Sequence, residues 1–493
     1  MSVEPQRIDL SLVSHTNVGK TTLARSLLGR EVGEVRDAPH VTAHAEVFTL
    51  METPQGDLLR LWDTPGFGDS ARLASRLAQS ANPIGWFLTQ VWDRWRDRAF
   101  WSSQQAVRNV REDADVVLYL VSAAEDPRQA GYVEPEMRIL AWIGKPVILL
   151  LNQVGPPRPA QEERAELERW REHVRGHAFV RTVLSLDAFA RFWVQEFRLI
   201  EALAEALPET QRQAFARLAA AWRTHRLTQF DQSMQALAEL IGRIACDREP
   251  LPEQGWGERL RDVGALFKAG GRSDGGKARA SEQLAARYRQ AVRATADRLI
   301  SIHDLEGQAA ETVLARVAES VAAEAPVHEG KAAVLGGLVS GALSGLAADL
   351  ASGGMTFGAG LLTGGVLGAL GAAGLAHGFN LVRGADQTLV AWSEAFLLEL
   401  VTTQLLTYLA VAHFGRGRGA WRESEYPGFW RESVRELVEH HRDRLRTLFA
   451  ARNASEGEAA LREDLYAQLR EMGLALVRRL YPDAAAIGED ARW

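Results

Sequence analysis

One cysteine, Cys246, stands among 493 residues. A single thiol excludes an internal disulfide framework and any thiolate metal cluster, and it fits a reducing compartment. The sequence also lacks an excess of basic residues. Net charge is −6 and the isoelectric point is about 6.1, which argues against nucleic acid as the main partner. No apolar signal segment follows the start, MSVEPQRIDL, so a cytoplasmic location is expected. No Ser-His-Asp or Cys-His constellation is defensible. His440 and His441 have no cysteine or carboxylate cluster beside them and read as a helix face rather than a metal site. The tract GRGRG after His413 reads as a solvated loop.

What is present points to two kinds of chain. A length of 493 residues is too great for one core, so two or three domains are expected. Roughly the first 190 residues alternate short apolar runs with helical patterns, the α/β signature. Candidate strands are Ile8–Val13, Ala45–Met51, Leu58–Trp62, Asp115–Val121, Pro146–Leu151 and Val180–Leu184. The turn cluster Thr53-Pro54-Gln55-Gly56 makes the second and third an antiparallel hairpin, and the others should be parallel. Ligands then belong at the carboxyl ends of the strands.

The first strand runs into DLSLVSHTNVGKTTLARSLLG, Asp9 to Gly29. A strand, a small polar loop and a helix form the setting of a phosphate-binding loop, whose backbone N–H groups and helix N-terminus hold an anion. Lys20 would reach the β- and γ-phosphates, Thr21 would be a Mg²⁺ ligand, and Gly19 permits close approach. Ser14 replaces the first glycine of such loops, a small-for-small change acceptable at negative φ. Ser14, His15, Thr16, Asn17, Val18, Gly19, Lys20, Thr21 and Thr22 are the candidate nucleotide-binding residues here. The second phosphate motif is Asp63-Thr64-Pro65-Gly66, after the third strand. Asp63 would hold Mg²⁺ through water, and the Gly66 N–H would meet a γ-phosphate.

These motifs resemble those of the Era-like GTPases of the translation-factor-related class. The loop together with a helical, glycine-rich C-terminal half resembles bacterial GTPases that carry the domain of unknown function 3482. That resemblance implies an α/β P-loop GTPase domain at residues 1–190, mostly parallel with one antiparallel edge strand, and an all-α domain at 191–493. It implies that Thr42 in HVTAH is the switch threonine that binds Mg²⁺ and senses the γ-phosphate. Lys20, Thr42 and Gly66 become the candidate catalytic residues, and Thr21, Thr42 and Asp63 the Mg²⁺ set. Asn17 matches the asparagine that holds K⁺ in cation-stimulated members; its other reading is a loop cap. Phe67 stands where Ras-like enzymes have a water-orienting glutamine, so slow hydrolysis is expected.

Base recognition departs from the family pattern. Asn152 and Gln153 follow the fifth strand, but Gly155 stands where a carboxylate should accept from guanine. Ser185 and Leu186 lie in the next candidate base loop, where Asp187 is either a substitute carboxylate or a helix cap. GTP is the first choice, with relaxed specificity or ATP as alternatives.

Fourteen tryptophans are many, and an insert at about 70–112 holds Trp86, Phe87, Trp92, Trp95, Phe100 and Trp101. Its aromatics read as packing onto the helical domain, or as a lever that moves with the nucleotide. Beyond about residue 189 no strand is expected: Phe189–Cys246, Ala280–Ala325, Gln387–Phe414 and Glu423–Trp493 read as helices, and Phe267–Ser281 as a loop. From Ala332 to Val382 one residue, Asp349, is charged, and Gly337, Gly341, Gly345, Gly360, Gly364 and Gly368 recur at helical spacing. This reads as a glycine-rich helical hairpin, buried, inserting conditionally into a membrane, or spanning it. The function expected is a GTP-dependent switch acting on a membrane or membrane-protein partner, peripheral at the inner membrane. Its rivals are a ribosome-assembly GTPase and a nucleotide-gated pore former. Self-association through the nucleotide face is a further expectation.

Overall fold

The computed structural model describes residues 4–15, 18–28, 45–89, 98–154, 160–186, 193–250, 275–304, 379–383, 388–413, 428–452 and 457–481. These form two compact units: the first comprises Met1–Thr228 with Ala412–Glu423 and Tyr481–Trp493, the second Gln229–Val411 with Ser424–Leu480. The expected boundary near residue 190 lies outside the described residues.

All six strands expected in the first region are present: β1 Arg7–Ser14, β2 Glu46–Glu52, β3 Leu58–Asp63, β4 Val116–Ser122, β5 Val147–Asn152 and β6 Val180–Ser185. They make one sheet in the order β2-β3-β1-β4-β5-β6. β2 runs antiparallel to β3, and every other neighbour is parallel. The sequences VVLYLVS and VILLLN are apolar throughout because β4 and β5 are buried on both faces. Edge strand β2 is largely exposed, with Val47 40% accessible.

Helices α1 Lys20–Leu28, α2 Ser70–Leu77, α3 Pro83–Thr89, α4 Arg98–Glu112, α5 Val133–Ile143, α6 Ala160–Val174 and α7 Trp193–Ala206 complete this unit with the start of α8, Glu209–Cys246. Asp57, in the β2–β3 turn and fully buried, accepts from Arg217 of α8 at 2.7 and 2.8 Å. The aromatic insert is corrected here. Phe87 and Phe100 pack into the core of the α/β unit together with Tyr119, Val121 and Leu149, rather than onto a helical domain. Trp92 and Trp95 lie outside the described residues.

The second unit corrects the expectation of helices alone. β7 Arg248–Pro250, β8 Phe379–Arg383 and β9 Thr388–Trp392 form a three-stranded antiparallel sheet, β7-β9-β8. Thus residues 379–382, expected at the end of the glycine-rich hairpin, are strand, and the helix expected from Gln387 begins at Glu394. β-Branched Thr388 and Val390 and the aromatic Trp392 favour a pleated surface over a helix. The rest of that hairpin, 332–378, lies outside the described residues. α9, Gly275–Ile302, begins inside the stretch expected to be a loop.

α10, Glu394–Ala412, carries the core of this unit. Trp392 stacks on Phe396 at 4.1 Å, and Tyr288 of α9 meets both rings at 5.4 Å. Among the described residues it is the one helix long and apolar enough to cross a membrane, and 72% of it is buried inside the protein. Its hydroxyls stay satisfied locally: Thr403 donates to Glu399 O and Thr407 to Thr403 O, both at 2.9 Å. α11 Gly428–His440, α12 Arg442–Ala451 and α13 Gly457–Leu480 complete the helical assembly. Gly473 of α13 is required by close approach, since a Cβ there would lie 2.9 Å from the Phe230 ring. His413, expected in a solvated loop, belongs to the first unit, where it is buried and hydrogen-bonded to the Tyr481 hydroxyl of the same unit. Burial lowers the pKa of His441, and among the described residues no three His, Cys, Asp or Glu side chains cluster to hold a metal ion.

Candidate nucleotide site

The carboxyl ends of β1, β3 and β5 bring the two phosphate motifs and Asn152 together. Gly19 has φ +92°, a left-handed backbone that glycine adopts without penalty. A Cβ there would stand 2.7 Å from Asn152 Nδ2. That amide donates to Val18 O at 2.7 Å, so the last strand of the motif set braces the phosphate loop directly. Lys20 and Thr21 open α1, with Thr22 buried behind them.

Ser14 keeps a backbone without positive φ, as expected for a residue in place of glycine. Its hydroxyl does more than fit. Lys20 Nζ donates to Ser14 Oγ at 3.0 Å, and Ser14 Oγ donates to the His15 carbonyl. The Ser14 carbonyl accepts from Phe67 N at 2.9 Å, joining the first phosphate motif to the second. The sequence offered Ser14 as a tolerated replacement, whereas it is a working acceptor.

Thr21 Oγ1 donates to Asp63 Oδ2 at 2.6 Å. The other carboxylate oxygen, Oδ1, is buried without a hydrogen-bond partner. A buried carboxylate oxygen left without donors is costly, and a cation resolves that cost. Thr21 and Asp63 therefore fit Mg²⁺. Burial raises the Asp63 pKa, against the nearby Lys20 ammonium and the Thr21 hydrogen bond. Burial lowers the Lys20 pKa, against the Asp63 and Glu136 charges. A phosphate anion would restore the Lys20 ammonium and a cation the Asp63 carboxylate, so the two strained groups fit the two halves of a metal-bound phosphate.

Gly66 and Phe67 are buried at the start of the second loop. Gly68 N donates to Ser103 Oγ of α4 at 3.1 Å, and Gln104 Nε2 donates to Phe87 O at 2.7 Å. The insert thereby holds the chain that leaves Gly66. In the base region Asn152 is fully buried, and Gln153 adopts φ +58°, an uncommon conformation for a residue with a side chain. Ser185 ends β6, and Leu186 N donates to Leu151 O at 3.0 Å. Thr16, Asn17, Thr42, Gly155 and Asp187 lie outside the described residues.

Sequence reasoning missed Glu136, which is fully buried beside the phosphate loop. Its Oε1 lies 2.8 Å from His15 Nδ1, and Tyr119 OH donates to Oε2 at 2.8 Å. A glutamate in the first turn of a helix reads as an ordinary surface residue, so only its fully buried position reveals it.

Residues 177–481 match the domain of unknown function 3482. The chain belongs to this family. Residues 9–153 match the family described as 50S ribosome-binding GTPase. Among characterised proteins, GTPase Era of Geobacter sp. strain M21 is 31% identical over 146 residues, covering 29% of this chain and 39% of that protein. GTPase Der of Levilactobacillus brevis is 31% identical over 150 residues, covering 30% of this chain and 27% of that protein. The chain therefore spans well under half of these relatives. Among solved structures, Era with MgGDPNP and 16S ribosomal RNA nucleotides aligns at 19% identity and TM-score 0.31, covering 42% of this chain and 58% of that one. Aquifex aeolicus Era with GDP and AlF4⁻ aligns at 20% identity and TM-score 0.31, covering 41% and 57%. The N-terminal region of this DUF3482 protein is a P-loop GTPase domain of the Era and Der type.

Proposed function

We propose that the chain is a GTP-dependent switch that binds Mg·GTP at the β1–α1 loop, hydrolyses it slowly, and couples nucleotide state to its C-terminal region. The hydrogen bond from Thr21 to Asp63, with an open Asp63 oxygen beside it and the Lys20 ammonium held by Ser14, carries this reading. Lys20 and the Gly66 N–H act on the terminal phosphates. Thr42 closes on Mg²⁺ and the γ-phosphate, and K⁺ held by Asn17 supplies further positive charge. Phe67 offers no polar group to orient water, which keeps the intrinsic rate low. Residues 1–190 are the nucleotide domain and 191–493 the effector.

Calorimetry with GTP, GDP and ATP, in Mg²⁺ with K⁺ or Na⁺, tests the site. Guanine binding weakened about 100-fold by Lys20→Ala supports it; equal or tighter ATP binding replaces guanine with adenine as the ligand. K⁺ without effect on turnover removes Asn17 from the cation role.

For the partner, the sequence of 332–378 favours a membrane or membrane protein reached from the cytoplasm. The likeness of residues 9–153 to ribosome-binding GTPases favours a ribosomal particle instead. Co-sedimentation with liposomes in GTP, GDP or no nucleotide supports the first. Co-purification of ribosomal RNA, with no liposome binding, supports the second.

A further inference from the structure

Burying a carboxylate is expensive, and a leucine would fill the same space at less cost. Glu136 nevertheless sits with no exposed surface under the phosphate loop. Two side chains from separate elements converge on it. His15, the second residue of the loop, stands 2.8 Å from Oε1, and Tyr119 of β4 donates to Oε2 at 2.8 Å. The His15 ring is fixed from another side by Tyr132, stacked at 4.5 Å and 17°. The backbones of His15 and Phe67 are bridged. His15 is still 31% exposed at its side chain, so it borders solvent at the loop.

We infer that Glu136 is a positioning residue that pins His15 of the phosphate loop to Tyr119 of β4, and so holds the second phosphate motif, which the loop meets at the bridge between His15 and Phe67. Whatever displaces Gly66 when the γ-phosphate leaves must also pull Phe67 against its bridge to His15, and that strains the His15–Glu136 pair. The pair thus sets how strongly the site distinguishes GTP from GDP. This rests on the reading of the site as a guanine-nucleotide site.

The test is a double-mutant cycle on His15 and Glu136, read as the ratio of affinities for a non-hydrolysable GTP analogue and for GDP. Glu136→Ala and His15→Ala should each lower that ratio about tenfold, within the usual range for coupled sites, and the double variant should lose no more than either. Glu136→Gln should recover most of the ratio, because its amide group still meets Tyr119 and, with the other imidazole tautomer, His15. Equal losses for both nucleotides, or losses that add in the double variant, overturn the inference while leaving the GTP reading intact. A wild-type chain that binds neither nucleotide overturns both. Where Glu136→Ala does not fold, Tyr119→Phe removes one donor and keeps the carboxylate; an unchanged ratio there also overturns the proposal.

Discussion

The nucleotide site and the core helix α10 bury polar groups in opposite ways. In the α/β unit Lys20, Asp63, Glu136 and Asn152 come from four different elements and meet around one loop, and Asp63 keeps an oxygen without a partner. In the second unit Thr402, Thr403 and Thr407 each donate to a carbonyl one turn earlier on their own helix. The first arrangement is costly for stability and makes sense only with a ligand. The second lets a core helix carry hydroxyls at little cost. What distinguishes the site among the described residues is a buried carboxylate oxygen left without a hydrogen-bond partner near a buried ammonium.

The largest effect expected is on stability, in the second unit. Trp392→Ala removes the ring between Tyr288 and Phe396 and should cost about 4 kcal/mol, as large aromatic truncations in cores do. Calorimetric unfolding measures it. At low temperature the variant should still bind nucleotide with wild-type affinity, because every described residue of the site belongs to the first unit. A loss of affinity would break the comparison and give the helical unit a part in binding.

Lys20→Ala comes next. A charge-assisted hydrogen bond to phosphate is worth up to about 3 kcal/mol, so affinity for GTP should fall about 100-fold with the thermal unfolding temperature of the ligand-free protein little changed. Asp63→Ala should be milder for binding and specific in kind. It should reduce Mg²⁺-supported GTP affinity about tenfold, as loss of one charged contact to the ion would. Removing the metal with a chelator should then weaken the wild type and leave the variant unaffected. If chelation weakens both alike, Thr21 and Asp63 are not the metal's holders.

This contrast also explains what was legible in the sequence. β1, β4 and β5 announced themselves because strands buried on both faces need unbroken apolar runs, and the phosphate motifs because close approach needs Gly19 and charge needs Lys20 and Asp63. Glu136 was invisible: a glutamate on a helix says nothing about which face it takes, and its partners lie on residues 15 and 119, far apart in sequence. The small sheet was invisible for a different reason. β7 has three residues, and β9 runs straight into α10 with one apolar pattern across both, so periodicity could not separate strand from helix. The insert was read as aromatic but assigned to the wrong neighbour, because apolar rings specify burial and not the partner that buries them.

The smallest effect falls on Ser14, where sequence and structure differ by one atom. The sequence treats it as a stand-in for glycine, tolerated by backbone shape; the structure gives its hydroxyl to Lys20 at 3.0 Å. Two substitutions separate these accounts. Ser14→Ala keeps the Cβ and removes the acceptor, so the ammonium loses a partner in a buried setting where donors without acceptors are costly. Nucleotide affinity should fall about threefold, the lower end of what one neutral acceptor contributes. Ser14→Gly removes the acceptor and also frees the backbone, so it should fall at least as far if the hydroxyl matters, because loop entropy is added to the same loss. Titration of both variants with GTP decides. Wild-type affinity in Ser14→Ala would return Ser14 to a mere replacement, and a gain in Ser14→Gly would show that the serine restrains the loop rather than serving Lys20.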